Sequence, residues 1–184
     1  SLGNDVTALR RAIPAASRVL AAARKAGMPV IHTLEAHASD LSDCPPAKKA
    51  RCPAIGEVVQ GGIEGSRVLV AGEPGNALVP ELAAAEGEVV IRKPGKGAFF
   101  GTDLHTRLES LGVKSLLFTG VTTEVCVQTT MREANDRGFE CLLVEDATES
   151  YFPEFKAATL AMITAQNGIV GWTASAADVV AAMK

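Results

Sequence analysis

The sequence is short of the residues that build metal centres, disulfide frameworks and base-stacking platforms. Three histidines occur in 184 residues, and the four cysteines (Cys44, Cys52, Cys126, Cys141) include no Cys-x-x-Cys pair. A zinc site drawn from so few ligands would be sparse, and no metal or other cofactor is expected. Four cysteines in a chain of this length do not make a disulfide scaffold, so a reducing cytoplasm is the expected setting. Aromatic residues amount to 4%, which leaves no platform for stacked bases. Positive charge is not in excess either. A formal charge of −3 and a pI near 5.7 argue against nucleic acid or an anionic membrane as partner. No apolar run reaches the ~20 residues of a membrane helix, and no signal-peptide pattern opens the sequence.

What is present is a large apolar fraction, 47%, enough for one substantial core and one domain over residues 1–184. Short continuous apolar runs alternate with helical patterns. Met28–Ile31, Arg67–Val70, Val89–Ile91, Ser115–Phe118, Cys141–Val144 and Ile169–Trp172 read as buried strands. Helices are expected from Pro14 to Ala26, Val79 to Ala85, Leu104 to Leu111, through Cys126 to a Gly138 cap, from Pro153 to Ala165, and from Ser175 to Met183. Strands that are apolar throughout imply a mostly parallel sheet covered on both faces, a three-layer α/β/α architecture. Residues 38–65 carry Cys44-Pro-Pro46, Cys52-Pro53 and Gly61-Gly62 and little periodicity. An irregular excursion of that length reads as a pocket cover or an oligomer contact. The chain opens on a helix pattern, and a leading central strand is expected ahead of residue 1.

The chemistry concentrates in Phe118-Thr-Gly-Val-Thr-Thr-Glu-Val-Cys-Val-Gln-Thr-Thr130, where a strand, a tight turn and a helix meet. Cys126 is expected in the helix's first turn, where free N–H groups and the dipole favour a thiolate and could hold an oxyanion. Lys93 and Lys96, in Arg92-Lys-Pro-Gly-Lys-Gly-Ala-Phe-Phe100, follow another strand end. Parallel topology brings such ends to one edge, where an ammonium lowers a thiol's pKa. Cys126 as a buried apolar residue, with both lysines as solvated loop charges, is the plain alternative.

Lys93-Pro-Gly-Lys-Gly-Ala-Phe99 and Thr119-Gly-Val-Thr-Thr-Glu-Val-Cys126 together resemble the isochorismatase-like cysteine hydrolases. His32-Thr-Leu-Glu-Ala-His37, Gly72-Glu-Pro-Gly75 and Thr130-Met-Arg-Glu-Ala-Asn-Asp-Arg-Gly138 are most similar to the family's biuret hydrolases. The resemblance implies cleavage of a small amide or carbamoyl compound through a thioester, without an obligatory metal, in a homodimer or homotetramer. It implies Cys126 as nucleophile, Lys93 as its lysine, and a cis bond at Val121–Thr122. The N–H groups of Thr122 and Cys126 would form the oxyanion hole. Lys96 and Gln166 would contact substrate, and Phe99 would wall the pocket. The family's aspartate, in an Asp-Met-Gln-like motif ending the first strand, has no counterpart in residues 1–184; Asp5 and Asp40 end no apolar strand. Glu124 reads as a helix-N-terminal carboxylate and Glu35 as a loop charge. His32 and His37 read as loop or core residues. Two other functions fit the fold: enol-ether hydrolysis, which needs no cysteine, and a relic binding or assembly protein.

Overall fold

Short strands and helices alternate through the computed structural model, which describes residues 5–58 and 63–183. β1 (Ile31–Glu35) and β2 (Val89–Lys93) pair in parallel, with Glu35 opposite Lys93 at their carboxyl ends. β3 (Ser115–Val121), β4 (Glu140–Glu149) and β5 (Trp172–Ala174) form a second parallel group in that spatial order. The helices are α1 (Thr7–Arg10), α2 (Ile13–Lys25), α3 (Pro46–Arg51), α4 (Leu104–Ser110), α5 (Gln128–Asp136), α6 (Pro153–Gly168) and α7 (Ala176–Ala182). No described helix is long and apolar enough to cross a membrane.

Alternation along β4 explains the layers. Successive strand side chains point to opposite faces, and Leu143 and Val144, both 0% exposed, enter different cores. Leu143 packs with Leu104, Leu108, Met131, Ala134 and Ile163 of α4, α5 and α6. Val144 packs with Ala15, Ala16 and Val19 of α2 and Ala176 and Val179 of α7. Each buried aliphatic side chain contributes roughly 1.5–3 kcal/mol, so the sheet is held from both faces. The three-layer parallel architecture read from the sequence is the one observed.

Several elements differ from their expected bounds. The strand expected at Met28–Ile31 begins at Ile31 and runs on to Glu35, because Pro29 has no N–H for a ladder. Arg67–Val70 makes only isolated bridges, to His37, Ile55 and Val58. Leu69 there takes φ 53°, which no extended strand accommodates. Val79–Ala85 contributes a single 3-10 turn, Pro80–Leu82, with Val79 and Ala83 extended on either side. α6 loses helical backbone at Ala165, Gln166 and Asn167, so the last strand starts only at Trp172. The 38–65 excursion holds one short helix, α3; residues 59–62 lie outside the described residues, as does the leading strand expected ahead of residue 1.

β1 and β3 are not paired with each other. Between them runs an apolar groove of about 290 Å³, walled by Ile31 and Thr33 on one side and Leu116 and Phe118 on the other, with Val19 at one face of the sheet and Leu108 at the opposite face.

Candidate active site

Both parallel groups end at one edge, and the chemistry-bearing residues collect there. β3 stops at a cis peptide, Val121–Thr122, followed by a π-helical turn, Thr123–Val127, that leads into α5. Cys126 lies in this turn, not in the first turn of a regular α-helix as the sequence suggested. The turn is pinned from inside. Thr123, 0% exposed, shares a 2.8 Å hydroxyl–hydroxyl hydrogen bond with Thr148 of β4.

β2 delivers Lys93 to the same place. Its side chain is 2% exposed, and its Nζ donates to the carbonyl oxygens of Gly95 (2.9 Å) and Lys96 (2.7 Å) and to Cys126 Sγ (3.5 Å). A buried charge needs partners of this kind to remain charged. The Pro94–Phe100 turn wraps the ammonium because α5 holds it from the other side. Thr130 Oγ1 donates to the Cys126 carbonyl (2.7 Å) and accepts from Ala98 N–H (3.1 Å). Glu133 Oε2 accepts from Phe99 N–H (3.4 Å). A Cβ on residue 97 would sit 1.9 Å from that carboxylate oxygen, so only glycine admits so close an approach.

The third contributor is Glu35, a strand-end carboxylate and not the loop charge expected from the sequence. It ends β1 and its side chain is only 11% exposed. Oε1 accepts from Lys48 Nζ (2.7 Å) and Lys96 Nζ (2.8 Å). Oε2 lies 3.1 Å from Lys96 Nζ and 4.0 Å from Lys93 Nζ, and the Cys126 thiol points to it at 3.7 Å. Burial pushes the Glu35 carboxyl up, but the hydrogen bonds and charges of Lys48 and Lys96 outweigh it, leaving the group below the usual carboxylate range.

Burial also dominates at Cys126 and pushes the thiol up. The Lys93 charge opposes this, Glu35 adds to it, and the outcome is a thiol above its ordinary range. Burial of the sulfur thus works against the thiolate expected from the sequence, and the Lys93 charge works for it.

The other expected residues are distributed unevenly. Phe99 is 6% exposed and its ring contacts belong to the core: Phe139 (6.3 Å between centroids), His105 (6.4 Å), and Arg137 over its face. Gln166 is exposed at the α6 break with φ 51°, and no hydrogen bond joins it to the Cys126 group among the described residues. His32 Nε2 bonds Glu88 Oε2 (2.8 Å), and His37 Nδ1 bonds Asp43 Oδ1 (3.2 Å), so each serves a local pair. Thr130 and Glu133 went unnoticed, although positions four and seven after a helix-start cysteine share its face. Nothing in the sequence announces Lys48.

The arrangement is a thiol and an ammonium in contact at the carboxyl edge of a parallel sheet, the place where such sheets hold small ligands. Comparison with known proteins agrees. The Isochorismatase domain family model matches residues 1–175. Ureidoacrylate amidohydrolase RutB from Enterobacter sp. is 39% identical over 103 residues, covering 55% of this chain and 43% of that protein. The RutB of Azorhizobium caulinodans is 30% identical, covering 96% of this chain and 78% of its own length. Among solved structures, an isochorismatase family protein from Desulfovibrio vulgaris superposes with TM-score 0.77 at 28% identity, covering 92% of this chain and 84% of that one.

Proposed function

Starting from the fact that the chain belongs to the isochorismatase domain family, we propose that it is a cysteine-dependent amidohydrolase of small linear amide or carbamoyl compounds, biuret-like in form. The observation that carries this reading is the 3.5 Å contact between Lys93 Nζ and Cys126 Sγ. An enol-ether hydrolase would have no use for it. The curated relatives are named for ureidoacrylate, a carbamoyl compound, which supports the same bond type.

In this reading Cys126 sulfur attacks the carbonyl carbon, and the C=O π electrons move to oxygen. The N–H groups of Thr122 and Cys126 hold that oxyanion. Lys93 stabilises the sulfur's negative charge as it develops, which matters because burial disfavours it beforehand. Collapse breaks the C–N bond, and the thiol proton ends on the departing nitrogen, as ammonia or an amine. Water then adds to the thioester carbon, the C–S bond breaks, and the thiol is restored with release of the acid. Lys96 and Gln166 would contact substrate, with Phe99 supporting the turn that carries Lys96.

The four cysteines are free, which suits a reducing compartment such as the cytoplasm. A homodimer or homotetramer has a fitting surface in α6, where Phe155, Met162 and Ile169 stand exposed beside Phe152 and Trp172. A helix apolar on its outer face as well as its inner one is ordinarily covered.

The test is ammonia release from a panel of biuret, ureas, ureido acids and simple amides. Iodoacetamide on Cys126 should abolish it, and Cys126→Ala should show none. Release by the alanine variant from every accepted substrate would sink the reading, and a wild-type chain inert to the panel would favour the relic binding protein.

A further inference from the structure

We propose that Glu35 is the positioning residue of this site: its carboxylate gathers the ammonium groups of Lys48 and Lys96 beside Cys126 and so ties the 38–65 excursion to the reacting edge. The proposal rests on the amidohydrolase reading for its kinetic arm, but not for its chemical one.

The geometry singles Glu35 out. Its two oxygens meet ammonium groups from three separate segments: Lys48 from α3, Lys93 from the end of β2, and Lys96 from the following turn. Lys48 also donates to the Pro94 carbonyl oxygen, so α3 is fastened both to Glu35 and to the turn that wraps Lys93. The fastening is well inside the protein. Side chains of Lys48 and Glu35 are 13% and 11% exposed, whereas most surface ion pairs of this chain are far more open. Charge-assisted bonds at such sites are roughly twice as strong as neutral ones. α3 is a short helix within an otherwise irregular stretch, and Lys48 is what connects it to the cysteine.

Proximity to the sulfur invites a different role, that of proton acceptor, and the same contacts argue against it. Oε1 already receives two ammonium groups and Oε2 a third contact from Lys96, so taking a proton would break what holds the lysines. The carboxyl is also held low while the thiol is held high, which separates the two further than in water. Glu35 therefore acts through the lysines. The charged groups acting on the thiol are Lys93, Lys96 and Glu35, with Lys48 reaching it through Glu35, and Glu124 lies on the cysteine's own turn.

Two readouts separate this role from a base and from plain packing. One is the pH dependence of Cys126 alkylation by iodoacetamide, followed on its own peptide by mass spectrometry, because three other cysteines are free. The other is KM and kcat for ammonia release from an accepted amide. Glu35→Gln removes a negative charge 3.7 Å from sulfur and also releases Lys48 and Lys96, whose charges act the other way, so its own midpoint shift does not decide the matter and the Lys48→Met comparison does. Lys48→Met should move the alkylation midpoint to higher pH in the wild-type background and leave it unmoved in the Glu35→Gln background. For Glu35→Gln, KM should rise at least about tenfold, with kcat within about threefold of wild type, and Lys48→Met should reproduce the KM increase. Where the amide variant does not fold, Glu35→Asp keeps the charge but shortens the reach: its KM should rise, and it takes the place of the amide variant as the second background. A Lys48→Met midpoint that moves equally in both backgrounds, or in neither, overturns the proposal, as does a hundredfold loss of kcat at unchanged KM, or an aspartate variant with wild-type KM. If no amide is hydrolysed by the wild type, the amidohydrolase reading fails while the alkylation arm still decides this one.

Discussion

Replacing Lys93 by Met keeps most of the buried stem and removes only the charge, which makes it the sharpest probe of the thiol–ammonium contact. Unit charges 3.5 Å apart attract by about 5 kcal/mol at an effective dielectric of ~20. If water entering the site returned half of that, the remainder would still reduce the thiolate population about a hundredfold, at roughly 1.4 kcal/mol per decade. A less stabilised thiolate is a better nucleophile, with a Brønsted slope of about 0.4–0.5. The alkylation rate at neutral pH should therefore fall by roughly tenfold, not by the whole population change. Stability should respond differently. Losing a buried charge relieves a desolvation cost of several kcal/mol, while the Gly95 and Lys96 carbonyls lose their donor at about 1–3 kcal/mol each. These terms oppose one another, so the urea midpoint should change little. The assay is iodoacetamide labelling of Cys126 at pH 7 beside a urea melt of the same preparation. Labelling at the wild-type rate in a folded Lys93→Met protein would refute the electrostatic role of the contact.

Three further outcomes can be measured. Burial of Cys141, 2% exposed, pushes its thiol up to about 11 from an ordinary 9.0. With the folded value above the unfolded one, its contribution is complete below pH 9 and is lost as pH rises toward 11, a fall of about 3 kcal/mol; urea melts across that range should show it, and Cys141→Ala should lack it. Gly97→Ala would push the Glu133 carboxylate off Phe99 N–H and cost about 1 kcal/mol; combined with Glu133→Ala it should cost no more than Glu133→Ala alone, and full additivity would discount the contact. If the proposed assembly uses the exposed apolar stripe of α6, Met162→Glu should lower the mass measured by light scattering toward the monomer, and a mass equal to that of the wild type would count against that surface.

The fold is legible where the chain is locally consistent. Cys141–Val144 is apolar throughout because both sides of β4 are buried, and Ser175 announces α7 by capping it, its hydroxyl accepting from Asp178 N–H. The Lys93 and Cys126 stretches are legible through the family resemblance they carry together; read singly, a turn lysine and a buried cysteine each keep an ordinary structural use. Glu35 is not legible, since the alternating polar residues His32-Thr-Leu-Glu35 conceal a strand whose partner, Val89–Lys93, lies more than fifty residues later. Lys48 depends on how α3 comes to lie beside Glu35 and Pro94, which no periodicity records. The cost of burying the sulfur is not legible either, because a helix-end field can be read from position, whereas desolvation depends on everything packed around the atom.

α5 has a bearing on reactivity because it serves both partners of the contact. The turn that leads into it carries Cys126, and its own Thr130 and Glu133 reach Ala98 and Phe99 in the turn that wraps Lys93. The spacing of sulfur and ammonium thus passes through one helix. Side-chain bridges yield more readily than strand ladders, so Cys126 labelling is a strain gauge for that clasp: loosening it should register at the sulfur while the strands stay paired.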